Sequence, residues 1–461
     1  MHTRLAIIIL LCCYSGLNAR PIEPVCALST DRQFIRLNGK LTLLVGDSVT
    51  QGWMELGSNF DGKAYLDALF RNGCNAVMLW SYIGIADQSG DRRIGYDAPE
   101  IWPWQKTGNA FNLAMRNPKY FSRLREFVQY AQKKGIVVII TIHDGWTKTR
   151  FAGHPFNAAL GGPLSQREQY IDLHDYNTEM PDQFDPGWNR MQKNQFYQEE
   201  FCGWLIDAVG QYPNVILEIF NEGEWYDSQK LDLYETHFLR FIKKRTKCLT
   251  MINERSNLRD NPDCDIFSLH QPNWSKDTTI TDSFNLFTKE LSSNPLKPLF
   301  FSEPVPEYGG DRSLNRGLMR LMWGTVLSGS GFVVQNDCSF AFDKSSAMSS
   351  KIPERDIIYM LEGYCARFMD SVDLCGMIPD GRLASSGVCL ASPGREYVIY
   401  SQKRMVEIDL SGLKGTGSYR YFDPAAGIAS KWHEIEGGGK VLQDTGSSND
   451  MIIHIKSGAI K

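Results

Sequence analysis

Two glutamates stand at the ends of apolar runs that stop abruptly in polar residues: Glu222 in VILEIFNE (215–222) and Glu303 in PLFFSE (298–303). Two carboxyl groups brought to one cavity can cleave a glycosidic bond. One protonates the leaving oxygen, and the other attacks the anomeric carbon or activates water. The acid then needs a pKa raised by burial and by the charge of its partner. The separation decides the stereochemistry: about 5–5.5 Å favours a covalent retaining course and a wider gap favours inversion. Each carboxylate has a nearby rival. Glu224 lies two residues after Glu222, and Glu307 follows Glu303, which is preferred because a strand should end before Pro304. A second possible chemistry lies in TLLVGDSVTQGW (42–53), where Ser48 could act as a nucleophile if a histidine took its proton and an acid oriented that histidine.

Positioning such groups requires a scaffold, and the sequence alternates in a way that supplies one. Short apolar runs occur at 41–47, 75–80, 136–144, 215–222, 248–254, 265–270, 298–303 and 331–337. Runs without polar alternation are the mark of parallel strands buried on both faces. Between them lie segments such as YFSRLREFVQYAQKKG and LDLYETHFLRFIKKR, with apolar residues at three- and four-residue spacing. Eight strands alternating with helices predict an α/β fold, a (β/α)₈ barrel, whose catalytic face is built from the carboxyl ends of the strands. An open doubly wound sheet is the alternative, because alternation alone does not show closure. Strand one is expected to run from the LNGK turn to Gly46.

The strand ends offer further candidates. His143 closes IVVIITIHD and His270 closes DIFSLH; Trp80, Trp146 and Trp225 lie at or just beyond strand ends, where indoles stack on sugar faces as readily as they fill a core. Asp47 and Asp337 could bind sugar hydroxyls, and Asp47 could equally cap the next turn. The segment 143–187 is long and rich in Gly, Pro, Asp and aromatic residues, the texture of a functional loop over the same face.

From about residue 377 the texture changes to short, partly alternating strands separated by PG, GLKGTG, FDPAAG and EGGG turns, predicting a small all-β sandwich over 377–461 packed on a barrel domain at 20–376. Residues 1–19 carry one Arg, an apolar run from Leu5 to Cys13 and small residues ending at Ala19, read as a signal peptide for a secreted or periplasmic protein; a lipid anchor at Cys12 or Cys13 is the weaker reading. No later segment has the eighteen or so unbroken apolar residues of a membrane helix. A net charge of −4 without a basic run gives no reason to expect nucleic acid as partner. Nine cysteines remain after the signal, so at least one stays unpaired. No CxxC or His-x-x-x-His pairing suggests a metal, and no cofactor is expected. The oligomeric state is not legible.

Ile219 to Glu222 and Phe300 to Glu303, in order on the fourth and seventh runs, resemble the clan A retaining glycoside hydrolases, the (β/α)₈ group that includes cellulase- and mannanase-like families. The resemblance implies Glu222 as general acid/base, Asn221 as donor to the sugar 2-hydroxyl, Glu303 as nucleophile, and His143 and His270 near sugar or nucleophile. It implies a carbohydrate substrate. An aromatic residue often ends strand eight in that group, whereas this chain has Gln335-Asn336-Asp337. VEIDLSGLKGTGSYRYFDPAAG resembles a β-sandwich named as collagen-binding, which would suit a non-catalytic binding or adhesion protein on a barrel scaffold. Gly46-Asp47-Ser48-Val49-Thr50 with Gly52 resembles the nucleophile block of GDSL-type esterases. That family also carries an Asp-x-x-His block, and none occurs in this chain: His433 stands in SKWHEI, and His454 has Asp450 four residues before it.

Overall fold

The computed structural model describes residues 26–29, 33–49, 60–82, 101–145, 151–165, 168–223, 226–253, 258–270, 279–293, 297–304, 312–336, 339, 342, 352–446 and 448–458. The first described residues form a three-stranded antiparallel sheet: β1 (Cys26–Leu28), β2 (Ile35–Leu37) and β3 (Lys40–Thr42). The LNGK turn that joins β2 to β3 has Asn38 and Gly39 both at positive φ, 53° and 80°, as a tight hairpin turn with the twist of its strands requires. That hairpin uses up the residues expected to begin barrel strand one, which instead is β4 (Val45–Val49). Cys26, Ile35 and Leu44 join the apolar cluster inside the barrel, so the small sheet contributes to the barrel's interior packing.

After β4 come α1 (Gly62–Asn72), β5 (Ala76–Trp80), an antiparallel hairpin β6 (Trp104–Thr107) and β7 (Ala110–Arg116), then α2 (Pro118–Lys133), β8 (Val137–Asp144), α3 (Arg190–Val209), β9 (Val215–Asn221), α4 (Ser228–Lys243), β10 (Leu249–Asn253) and β11 (Ile266–His270). α5 (Ile280–Ser293), β12 (Leu299–Ser302), α6 (Arg312–Leu327), β13 (Gly331–Gln335) and α7 (Ile352–Asp370) complete the layer. Strands β4, β5, β8, β9, β10, β11, β12 and β13 pair in parallel and close into a barrel. The open-sheet alternative is thereby excluded. Among the described residues no α-helix separates β10 from β11.

Strand periodicity sorts the side chains. Ala76, Met78 and Trp80 point into the barrel, while Val77 and Leu79 pack outward under the helices. The helices start where their sequences say they should. Asn117 caps α2 ahead of Pro118, and Asn189 forms a reciprocal capping box with Gln192 on α3. α3 buries a polar set, Asn194, Gln195, Gln198 and Glu199, because these side chains serve the long loop before it. Asn194 and Gln198 donate to the Tyr170 carbonyl, and Glu199 accepts from the Met180 amide and pairs with His237.

The C-terminal strands are antiparallel. β14 (Ile378–Pro379), β15 (Cys389–Ser392), β16 (Glu396–Ser401), β18 (Thr416–Asp423), β19 (Ile428–Ala429), β20 (His433–Glu436) and β22 (Met451–Ser457) form one sheet. β17 (Met405–Asp409) and β21 (Lys440–Asp444) form a two-stranded ribbon beside it, and Ile399, Val406, Ile408 and Ile453 fill the space between. This is the small all-β unit expected after the barrel. It packs on α6 and α7: Arg320 forks onto Asp450 at 2.9 and 3.0 Å, and Trp323, Phe368 and Phe422 meet in edge-on and tilted ring contacts in a shared core.

Candidate active site

At the carboxyl end of the barrel, Glu222 follows β9, His270 ends β11 and Glu303 follows β12. The His270 Nε2 atom stands 3.0 Å from Glu303 Oε2 and 3.9 Å from Glu222 Oε1. One oxygen of each carboxylate and one ring nitrogen of His270 all lie within 4.8 Å of one another. Glu303 and His270 are buried, at 2% and 3% side-chain exposure, whereas Glu222 retains 17%. One carboxylate thus sits at the floor and the other nearer solvent. Glu303 Oε1 has no hydrogen-bond partner among the described residues.

Local backbone geometry places both carboxylates. Alternation along VILEIFN breaks at its end, where Ile219 and Phe220 both join the outer core, and Asn221 accepts from Asn253 Nδ2 at 2.9 Å. Glu222 then adopts φ 50° and Glu303 φ 65°, conformations that side-chain-bearing residues seldom hold. They are pinned by neighbours: the Gly145 amide donates to the Asn221 carbonyl at 2.7 Å, and the Glu303 amide donates to the Val333 carbonyl at 2.9 Å. Gly145 is needed here because a Cβ would come within 2.3 Å of the Glu222 carbonyl oxygen.

His143 and Asp47 fall elsewhere. His143 lies opposite Phe220 in the β8–β9 ladder and packs among Tyr170, Phe201, Tyr234 and Phe238, outside the barrel wall. Its Nδ1 shares a 2.8 Å hydrogen bond with the Tyr170 hydroxyl, and burial holds its pKa well below the usual histidine value. This is a core histidine, not one beside the carboxylates. Asp47 is likewise removed from them, because its register on β4 turns it toward the helices. There its Oδ2 accepts from Tyr65 and Ser339, both at 2.7 Å, and burial pushes its pKa up to about 8. Glu362 shares that interior, raised well above the ordinary range by burial and by the charge of Asp47. Trp80 is 1% exposed within the inner cluster, so it is a wall of the barrel interior and not an exposed stacking platform. Trp146, Trp225 and Asp337, with the rival carboxylates Glu224 and Glu307, lie outside the described residues. Ser48 is fully buried and its hydroxyl donates to the Val334 carbonyl at 2.9 Å.

One further carboxyl group escaped notice in the sequence. Glu218, four residues before Glu222, is fully buried in the barrel and accepts from the Thr141 hydroxyl at 2.5 Å. Burial, reinforced by the charge of Glu303, pushes its pKa up to about 8 despite the opposing pull of Thr141 and His270. The available signal was register: in VILEIFNE the glutamate falls in phase with Ile216, which faces inward. The polar layer around it continues with Ser268 and Ser302, whose hydroxyls lie 2.6 Å apart.

Comparison with known proteins agrees with this architecture. A solved structure described as a glycoside hydrolase superposes with a TM-score of 0.65 at 14% identity, covering 95% of this chain and 97% of its own. A family 5 glycoside hydrolase from Bacteroides vulgatus gives 0.67 at 14% identity, with 94% and 93% covered. No curated protein matches. Residues 57–303, more than half of the chain, match the family described as cellulase (glycosyl hydrolase family 5), and the chain therefore belongs to that family and is a glycosidase.

Proposed function

We propose that the chain is an exported glycosidase that cleaves an oligo- or polysaccharide with retention of anomeric configuration. The observation that carries this reading is the closeness of the carboxyl groups, with oxygens of Glu222 and Glu303 within 4.8 Å, in keeping with the roughly 5–5.5 Å of a retaining pair. Glu303 attacks the anomeric carbon as a carboxylate; the glycosidic C–O bond breaks, and Glu222 gives its proton to the departing oxygen. Glu222, now ionised, takes a proton from water, whose oxygen attacks the same carbon and releases Glu303. Asn221, whose Oδ1 accepts from Asn253, donates to the sugar 2-hydroxyl in this reading. His270 lies between the carboxylates and holds Glu303 in position. Export rests on the apolar segment before Ala19.

Cellulose-type glucans, for which the family is named, are the first substrates to test, within a wider glycan panel. Proton NMR of early products is expected to show the substrate's own anomeric configuration, and Glu222→Gln and Glu303→Gln are each expected to lose hydrolysis. First-formed product of inverted configuration overturns the mechanism. Undiminished hydrolysis in both variants overturns the residue assignment.

A further inference from the structure

We propose that Glu222, His270 and Glu303 also form a binding site for a divalent transition cation of the zinc type, and that its occupation inhibits the enzyme. The inhibition rests on the catalytic roles proposed above, but the binding does not. Two carboxylate oxygens and one imidazole nitrogen converge within 4.8 Å. Zinc bonds such donors at about 2.0–2.2 Å, which spaces tetrahedral ligands roughly 3.3 Å apart. The His270–Glu303 separation of 3.0 Å is already close to that value, the 3.9 Å between His270 and Glu222 needs to shorten by roughly half an ångström, and the two carboxylate oxygens, within 4.8 Å of each other, close by the same movement of Glu222 toward the ion. Glu222 is the most exposed of the three, at 17% of its side chain.

The chemistry of the donors fixes the class of ion. Two carboxylates neutralise a dication in a site where His270 and Glu303 are almost wholly removed from water, and imidazole suits Zn²⁺, Cu²⁺ or Ni²⁺. Ca²⁺ and Mg²⁺ prefer six or more oxygen ligands and are poorly served by this set. A fourth position on zinc remains open, as it is in sites with three protein ligands. The three donors come from the ends of three different strands, so no local ligand spacing in the sequence announces them.

Calorimetric titration of the intact chain with zinc chloride tests the site without any substrate. The wild type is expected to bind zinc, and His270→Gln and Glu222→Gln are each expected to weaken that event at least tenfold, while Mg²⁺ neither binds there nor competes. Zinc affinity and stoichiometry that are unchanged in both variants, as from exposed Cys375, overturn the site. Circular dichroism checks that each variant folds; should His270→Gln fail, Glu222→Gln alone decides. With an aryl glycoside, zinc is expected to raise KM and leave kcat unchanged; inhibition that lowers kcat at constant KM overturns the link to the carboxylates. A chain that hydrolyses no glycoside defeats the proposed function, while the calorimetry still decides the cation site.

Discussion

Glu222 and Glu303 share a left-handed backbone, φ 50° and 65°, and among the described residues only Asn38 joins them as a non-glycine at positive φ. Such conformations cost a side-chain-bearing residue about 1–2 kcal/mol and persist where the surroundings over-determine them. Here the fixed points are the Gly145–Asn221 and Glu303–Val333 backbone hydrogen bonds. Each left-handed residue lies immediately after the last residue of its strand, and two carboxylates from distant parts of the sequence meet one imidazole there.

Glu222→Gly and Glu222→Gln separate strain from chemistry. Both variants are expected to lose about 10²–10⁴ in kcat/KM, the usual contribution of a general acid, which is the role proposed for Glu222. Glycine adopts positive φ without steric cost, so the Gly variant is expected to be as stable as the Gln variant or about 1 kcal/mol more stable, despite its greater unfolded-state entropy. Urea denaturation measures the difference. A Gly variant well below the Gln variant would show that the backbone at 222 is not strained.

Gly145→Ala should strike activity through the backbone. The added methyl would lie 2.3 Å from the Glu222 carbonyl oxygen and 2.6 Å from that of Asn221, so the end of β9 must move. Overpacking of this kind costs about 1–3 kcal/mol, and displacement of a catalytic group by about 1 Å can cost 10²-fold in rate. The expected result is a folded protein with kcat reduced far more than its stability. Normal kcat in Gly145→Ala would show that the β8–β9 contact does not position Glu222.

The barrel was legible because each strand is a short apolar run buried on both faces, and this texture survives without knowledge of pairing. Glu222, Glu303 and His270 were legible for the same reason, as polar residues at the ends of such runs. His143 carried the same signal and lies elsewhere, since the local twist that sends Phe220 outward takes its ladder partner with it. Asp47, read as either a sugar ligand or a structural cap, turns toward the helices by its phase on β4 and is held there by Tyr65 and Ser339, a direction that its place at a polar strand end does not reveal. Glu218 was hidden inside a hydrophobic run, where its neighbours spoke only of strand. The β6–β7 hairpin went unread because its strands are largely exposed and carry little hydrophobic pattern.

Glu218 should leave a signature in stability against pH. Its folded pKa, raised to about 8, lies above the ordinary glutamate value of about 4.3 that it regains on unfolding. Below about pH 4 both states hold the proton and nothing is lost. Between about 4.3 and 8 the unfolded chain releases a proton that the folded protein keeps, so stability falls as pH rises, by a few kcal/mol in all. Glu218→Gln removes this slope while keeping the shape of the neutral acid. Urea midpoints at pH 5 and pH 8 should therefore draw closer in the variant than in the wild type. Asp47 and Glu362 retain their own raised values, so the variant's curve is flatter without becoming flat. Parallel curves for the two proteins would mean that Glu218 is ionised in the folded barrel.

Ser48→Ala distinguishes the two chemistries with which the sequence began. A serine nucleophile has to present its hydroxyl to a base and to the substrate, yet Ser48 is fully buried and its Oγ donates to the Val334 carbonyl across the β13–β4 pair. Removing that hydroxyl leaves a buried carbonyl with one partner fewer, at a cost of about 1–3 kcal/mol. The variant is expected to unfold at lower urea and to keep its glycosidase kcat, because the hydroxyl touches neither Glu222 nor Glu303 in any of its hydrogen bonds. Activity toward aryl esters, if the wild type shows any, should be unchanged. Loss of ester cleavage with glycoside hydrolysis intact would assign Ser48 a chemistry of its own.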